Sequence, residues 1–205
     1  MNPETWFAFL VASVVISVSP GAGAVNTMSN GLRYGVLHTL PAIAGLQVGL
    51  AIQFLVVGLG LGAVLASSTL LFSWVKWLGV AYLVWLGIQK WRQPPLDISG
   101  DQPIERETSR RFWQAVLVNV TNPKATVFLV ALLPQFLDLA RSQEVQVLIM
   151  ALTGISVDIL VMLGYASLAT QLARWLRHER HQKRMNQLFG GMFITAGGLM
   201  ATYQR

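Results

Sequence analysis

The chain contains no cysteine. Disulfides, thiolate metal sites and a cysteine nucleophile are therefore excluded. Charge is scarce as well. Asp, Glu, Lys and Arg make up 12% of the 205 residues, against about 25% in an ordinary soluble domain. None of the four occurs in residues 34–75, 77–89 or 125–137. Histidine is limited to His38, His178 and His181, all in or beside expected loops. His178 and His181 read as solvated members of a basic loop, so no metal centre is expected, and no cofactor.

What is present is apolar, at 54% of residues. A bilayer core needs about 20 apolar residues per helix. Six spans fit, roughly 5–25, 38–63, 69–90, 112–136, 145–170 and 185–203. The expected fold is an all-α integral membrane protein. Trp74, Trp77, Trp85, Trp91 and Trp113 sit mainly near span ends, where aromatic anchors belong. Tyr82 and Tyr165 lie deeper.

The net charge is +6, and its distribution follows topology rather than nucleic acid. Arg33, the group Lys90, Arg92, Arg106, Arg110 and Arg111, and the group Arg174, Arg177, Arg180, Lys183 and Arg184 fall on one side. Lys76, Arg141 and Arg205 fall on the other. The positive-inside rule then makes loops 1–2, 3–4 and 5–6 cytoplasmic and both termini periplasmic. Contacts with lipid headgroups are expected of the basic loops, and nucleic-acid binding is not. The first apolar run is preceded by Glu4 and by no Lys or Arg. A secretory signal wants a positive start, so this run is expected to stay in the membrane.

One hydrophilic break, residues 92–111, carries Pro94, Pro95, Pro103 and mixed charge. It divides the chain into residues 1–91 and 112–205, each with three spans, around a cytoplasmic loop. The halves match weakly but in order. Pro20 pairs with Pro123, Gly45 with Gly154, and the pair Gly79 and Gly87 with Gly190 and Gly198. An odd number of spans per repeat forces opposite orientations. The expectation is two inverted repeats, the design of alternating-access transporters.

The two matched prolines stand in "VSPGAG" at 18–23 and "VTNPKA" at 120–125. Proline lacks an N–H and clashes with the carbonyl four residues back. Those carbonyls belong to Ile16 and Asn119. In lipid a freed carbonyl costs several kcal/mol unless satisfied, so neither break should face lipid. Ser19 and Asn122 suit the N-cap position, and proline suits the position after it. Each stretch thus reads as one helix stopping and another starting. A restarted helix points free N–H groups and partial positive charge ahead of itself, a ready site for a carboxylate. Gly21 and Gly23 allow close approach to the backbone.

Depth supports a site there. Lys124 lies about 18 Å into its span and Asp158 about 20 Å into its own, at 1.5 Å per residue. A charge at that depth is costly and marks function by default. An ion pair holding two spans together is the competing reading of Lys124 and Asp158. A zwitterionic amino acid suits the pair. Its carboxylate fits Lys124 and the helix termini, and its ammonium or a transported proton fits Asp158. Asn26, Gln47, Asn119 and Asn122 could bond a hydroxyl or lactone, or serve as helix–helix contacts. The candidate substrate residues are Ser19, Pro20, Gly21, Asn26, Gln47, Asn119, Asn122, Pro123 and Lys124, with Asp158 for proton coupling. A second class of function stays open. Lys124 could act as base for Ser19 in an intramembrane Ser–Lys enzyme.

"SVSPGAGAVNTMSNGLRYG", "AGLQVGL", "KWLGVAYLVWLGIQKWR", "VNVTNPKATVFLVALLPQF" and "VDILVMLGYASLA" resemble the LysE/RhtB family of bacterial amino-acid exporters. The likeness runs from Trp6 to about Leu199. Within the family, "SPGAGAVNTM" and "IAGLQVGLAI" are most similar to exporters of homoserine and its lactone, ahead of leucine or arginine exporters. The family's "SPGP" has Ala22 in its last position here. The resemblance implies efflux of homoserine, its lactone and threonine, driven by the proton gradient, with an inner-membrane location and room for a homodimer.

The charge distribution makes a direct prediction. A fluorescent protein that matures only in the cytoplasm should stay dark when fused after Arg205 and should fluoresce when inserted at residue 100.

Overall fold

The computed structural model describes residues 1–67, 69–92, 108–138, 140–176 and 178–202. The hydrophilic break expected to be a cytoplasmic loop falls largely at 93–107, outside the described residues, as does the side chain of Tyr82. Among the described residues all regular structure is helical.

Eight α-helices follow in order: α1 (Pro3–Val18), α2 (Ala22–Ser67), α3 (Thr69–Arg92), α4 (Thr108–Val120), α5 (Pro123–Leu132), α6 (Gln143–Ser167), α7 (Ala169–Leu176) and α8 (Glu179–Thr202). A 3-10 turn, Leu133–Phe136, extends α5. Helix α2 is two helices in one. At Gly35 the backbone has φ 74° and ψ 174°, a conformation glycine adopts without steric cost. The chain turns there, separating an arm at 22–34 from a long helix at 36–67. Thr39 Oγ1 donates to Gly35 O at 2.8 Å, anchoring the restart. Helices α4 and α5 meet at a bend of 50°.

By length and composition, two described stretches are apolar enough to cross a bilayer singly, Ala22–Gly60 and Gln143–Ser167. The bent α4–α5 pair makes a third, and Pro3–Val18 is apolar but shorter. The surface is that of a membrane-embedded, multi-pass protein. Leu37, Leu55, Leu59, Leu117, Leu148 and Leu160 all face outward, where hydrocarbon rather than water would meet them. The described tryptophans also point out, among them Trp74, Trp85 and Trp113.

The interior is packed through small residues. Helix α2 lies against α4 and α6, α1 against α6, and α3 against α8 and α5. The α2–α4 crossing runs through Gly45 and Gly49, a G-x-x-x-G spacing that lets two backbones approach. A Cβ on Gly45 would collide with the Phe112 carbonyl, and one on Gly49 would sit 2.8 Å from Asn119 Cβ. Gly87 and Gly190 do the same for α3 and α8, where each would place a Cβ 2.6 Å from the other's carbonyl. Two apolar clusters result. One gathers Phe9, Phe54, Phe128, Leu133 and Met150. The other gathers Met28, Ala42, Leu46, Ala115 and Met162. The two helix interruptions lie between them.

Gly45→Val is expected to push α4 off α2 and to cost on the order of 1–3 kcal/mol, seen as a lower Tm of the purified protein. Gly60→Ala is the control. A Cβ there meets nothing within 4 Å, and alanine is the better helix former, so its Tm should hold or rise.

Candidate functional site

The first interruption is Ser19, Pro20 and Gly21, between α1 and α2. Its geometry corrects one expectation. Ser19 does not cap the restarting helix. It is the C-cap of α1, its N–H bonded to Val15 O at 3.1 Å. The restart comes two residues later, where Gly21 O accepts from Val25 N at 3.0 Å. The physical reason is Pro20, whose missing N–H and ring close α1, leaving the extended Ser19 and Pro20 as a spacer. The second interruption is tighter. Asn122 caps α5, its Oδ1 accepting from Lys124 N at 3.1 Å, with Pro123 in the first turn.

The carbonyls freed at each interruption are taken by side chains from the other half of the chain. Lys124 Nζ donates to Ile16 O at 2.8 Å and to Ser19 O at 2.6 Å. Tyr165 donates its hydroxyl to Val18 O at 2.6 Å. In return, Gln53 Nε2 reaches Asn119 O at 2.8 Å and Val120 O at 3.2 Å. Asn119 Nδ2 donates to Leu46 O, tying α4 to α2. Ile16 O and Asn119 O are the carbonyls whose donor four residues on is a proline, and Asn119 O also accepts from Asn122 N at 3.0 Å. Both are bonded, as burial of a carbonyl demands.

Beside these bonds is a cavity of about 60 Å³. That is more than the roughly 10–15 Å³ needed to hold a single water. Gly23 and Ala24, in the first turn of α2, line it, and so do Lys124 and Ala125, in the first turn of α5. Two helix N-termini therefore converge on one space. Asp158 lines it from α6 and accepts from Gln47 Nε2 at 2.8 Å. Leu46, Leu50, Phe54, Phe128 and Met162 supply apolar wall. The arrangement offers positive potential for a carboxylate, one carboxylate for an ammonium or proton, and apolar surface for a short side chain.

The sequence candidates divide. Asn119, Asn122, Lys124 and Asp158 line the cavity. Gln47 stands behind Asp158 as its hydrogen-bond donor. Gly21 packs on Lys124, since a Cβ there would lie 3.3 Å from Lys124 Nζ. Ser19, Pro20 and Pro123 shape the backbone without lining the cavity. Asn26 lies apart, and its O and Oδ1 accept from Asn30 Nδ2 one turn away on α2. Four polar residues beyond the candidates belong to the site, Ser13, Ser17, Gln53 and Tyr165. The signal for the serines was their spacing of four on an apolar helix, which puts both on one face. His181 stacks on Trp175, with ring centroids 4.8 Å apart, well away from the cavity.

Comparison with known proteins assigns a family. Residues 14–204 match the family described as LysE type translocator. The chain belongs to the LysE type translocators. It is 48% identical to an uncharacterised membrane protein of Vibrio cholerae, over 98% of both chains. It is 44% identical to the homoserine/homoserine lactone efflux protein of Salmonella typhimurium, over 98% of both. A leucine efflux protein of Klebsiella pneumoniae is 26% identical, with 97% of this chain and 95% of the relative covered. No solved structure matches.

Membership among the translocators removes the Ser–Lys enzyme reading, and the geometry agrees. A general base must offer a lone pair to the nucleophile. In this LysE type translocator Lys124 spends protons on the Ile16 and Ser19 carbonyls. Ser19 is fully buried, and its Oγ has no partner.

Lys124→Met should orphan those two carbonyls. Each buried unpaired group costs about 1–3 kcal/mol, so a large drop in Tm is expected on thermal melting in detergent. Thr121→Ala is the reference, because Thr121 only returns its hydroxyl to Leu117 O on an exposed surface.

Proposed function

We propose that this translocator is a secondary exporter of homoserine and its lactone, with threonine as a further cargo. The observation that carries the reading is the convergence of two helix N-termini, Lys124 and Asp158 on one cavity. The 44% identity to a homoserine/homoserine lactone efflux protein over nearly the whole chain supports the choice of cargo. The weaker likeness to a leucine efflux protein is the alternative within the family.

The working architecture is six spans in two inverted repeats, residues 1–91 and 112–205, around the 92–111 loop. Helix packing supports it. Span 2 lies on span 4 as span 5 lies on span 1, and spans 2 and 5 and spans 3 and 6 pair across the middle. The exchange of carbonyl donors has the same form, with Gln53 serving the second interruption and Lys124 the first. Both termini are periplasmic in the bacterial inner membrane, by the distribution of basic residues. A homodimer is compatible with this arrangement.

Transport then follows from the site. Cargo enters from the cytoplasm and places its carboxylate, or the lactone's carbonyl oxygen, at the half-helix termini and Lys124. Its ammonium meets Asp158. One repeat rocks against the other and opens the cavity outward. A proton arriving at Asp158 from outside neutralises the carboxylate that held the ammonium. Cargo leaves, and the protonated carrier returns. The gradients, not the fold, set the direction.

The test is flux. Proteoliposomes loaded with labelled homoserine, threonine, leucine or arginine should lose homoserine selectively under an imposed proton gradient. Asp158→Asn should reduce gradient-driven loss to background. Full proton-coupled efflux by Asp158→Asn would end the proposed coupling role, and selective loss of leucine would move the cargo to the alternative.

A further inference from the structure

Ser13 is 2% exposed, and its Oγ has no hydrogen-bond partner. It lines the cavity. That is unusual for a hydroxyl on a membrane helix, which ordinarily returns its proton to the carbonyl four residues back. Thr121, Thr153 and Thr195 of this protein all do so, at 2.7, 2.8 and 2.9 Å. A buried polar group left unpaired costs about 1–3 kcal/mol. Much of the cavity wall is apolar, including Leu50, Phe54, Phe128 and Leu129.

Position gives the hydroxyl a meaning. Ser13 precedes Ile16 by three residues, about 4.5 Å along α1. Ile16 O is where the Lys124 ammonium is held. Ser13 and Ile16 both line the cavity from α1, so the hydroxyl and the held ammonium border the same space. Ser17, one turn on and also lining the cavity, continues the same face toward the interruption.

We propose that Ser13 is a specificity residue of the cargo site. Its hydroxyl bonds the oxygen at the end of the cargo side chain and so selects oxygen-bearing amino acids over aliphatic ones of the same shape. This rests on the reading of the cavity as an amino-acid site. A serine suits homoserine, because its hydroxyl can accept from or donate to an alcohol. An aliphatic cargo of equal size fills the same volume but leaves Ser13 orphaned, and that penalty is what discriminates.

The matched pair is homoserine and norvaline, which carries a methyl where homoserine has its hydroxyl. Efflux of each from proteoliposomes, at equal loading, gives a ratio. Wild type should favour homoserine. Ser13→Ala should lower the homoserine-to-norvaline ratio by about three- to tenfold, the worth of one uncharged hydrogen bond, while norvaline flux persists. Ser13→Cys, close in volume but a poor hydrogen-bond partner, should move the ratio the same way and guards against a packing defect in the alanine variant. An unchanged ratio in both variants, with homoserine export intact, overturns the role of Ser13 and leaves the exporter reading standing. Failure of wild type to export either compound overturns the exporter reading and this inference together.

Discussion

A carbonyl without a donor cannot be left in hydrocarbon. That constraint organises the molecule. Two prolines each release a carbonyl inside an apolar helix, and the cost of several kcal/mol per group has to be met by side chains. The donors come from across the chain. Lys124 takes Ile16 O and Ser19 O, and Gln53 takes Asn119 O and Val120 O. Asn119 O also has a local donor, Asn122 N, but Ile16 O, Ser19 O and Val120 O are served by side chains distant in the sequence. The crossing glycines Gly45 and Gly49 bring α2 close enough to α4 for that.

The same bonds give the site its character. A helix that stops and restarts exposes N–H groups at one end and carbonyls at the other. The carbonyl ends are covered by Lys124 and Tyr165. The N–H ends, at Gly23 and Ala24 and at Lys124 and Ala125, line the cavity. Positive potential is therefore concentrated where cargo would sit, with Asp158 as the balancing charge. The lysine lies on the seam between the halves. In the proposed transport cycle, a movement of one half against the other would alter its bonds.

Much of this was legible in the sequence. The uncharged runs gave the helices, and the two X-Pro stretches gave the helix ends near Val18 and Pro123. Lys124 and Asp158 stood out because charge is scarce at that depth. Other features were not legible for definite reasons. Ser19 and Asn122 are equally good caps by type, yet only Asn122 caps. The spacer of Ser19, Pro20 and Gly21 depends on where the backbone re-enters helical angles, which residue preference does not fix. The turn at Gly35 was hidden among many glycines, since only the local φ marks it. Asn26 had the right chemistry on the wrong face, and an i,i+4 partner, Asn30, absorbs it. Gln53 was invisible as a donor because its role depends on a carbonyl 66 residues away.

The most direct measurement is a structure of the purified protein with homoserine bound. The account predicts density for the amino acid in the cavity between α1, α2, α5 and α6, with its carboxylate at the half-helix N-termini beside Lys124 and its ammonium toward Asp158. Homoserine bound elsewhere, with Lys124 and the cavity unchanged, would contradict it.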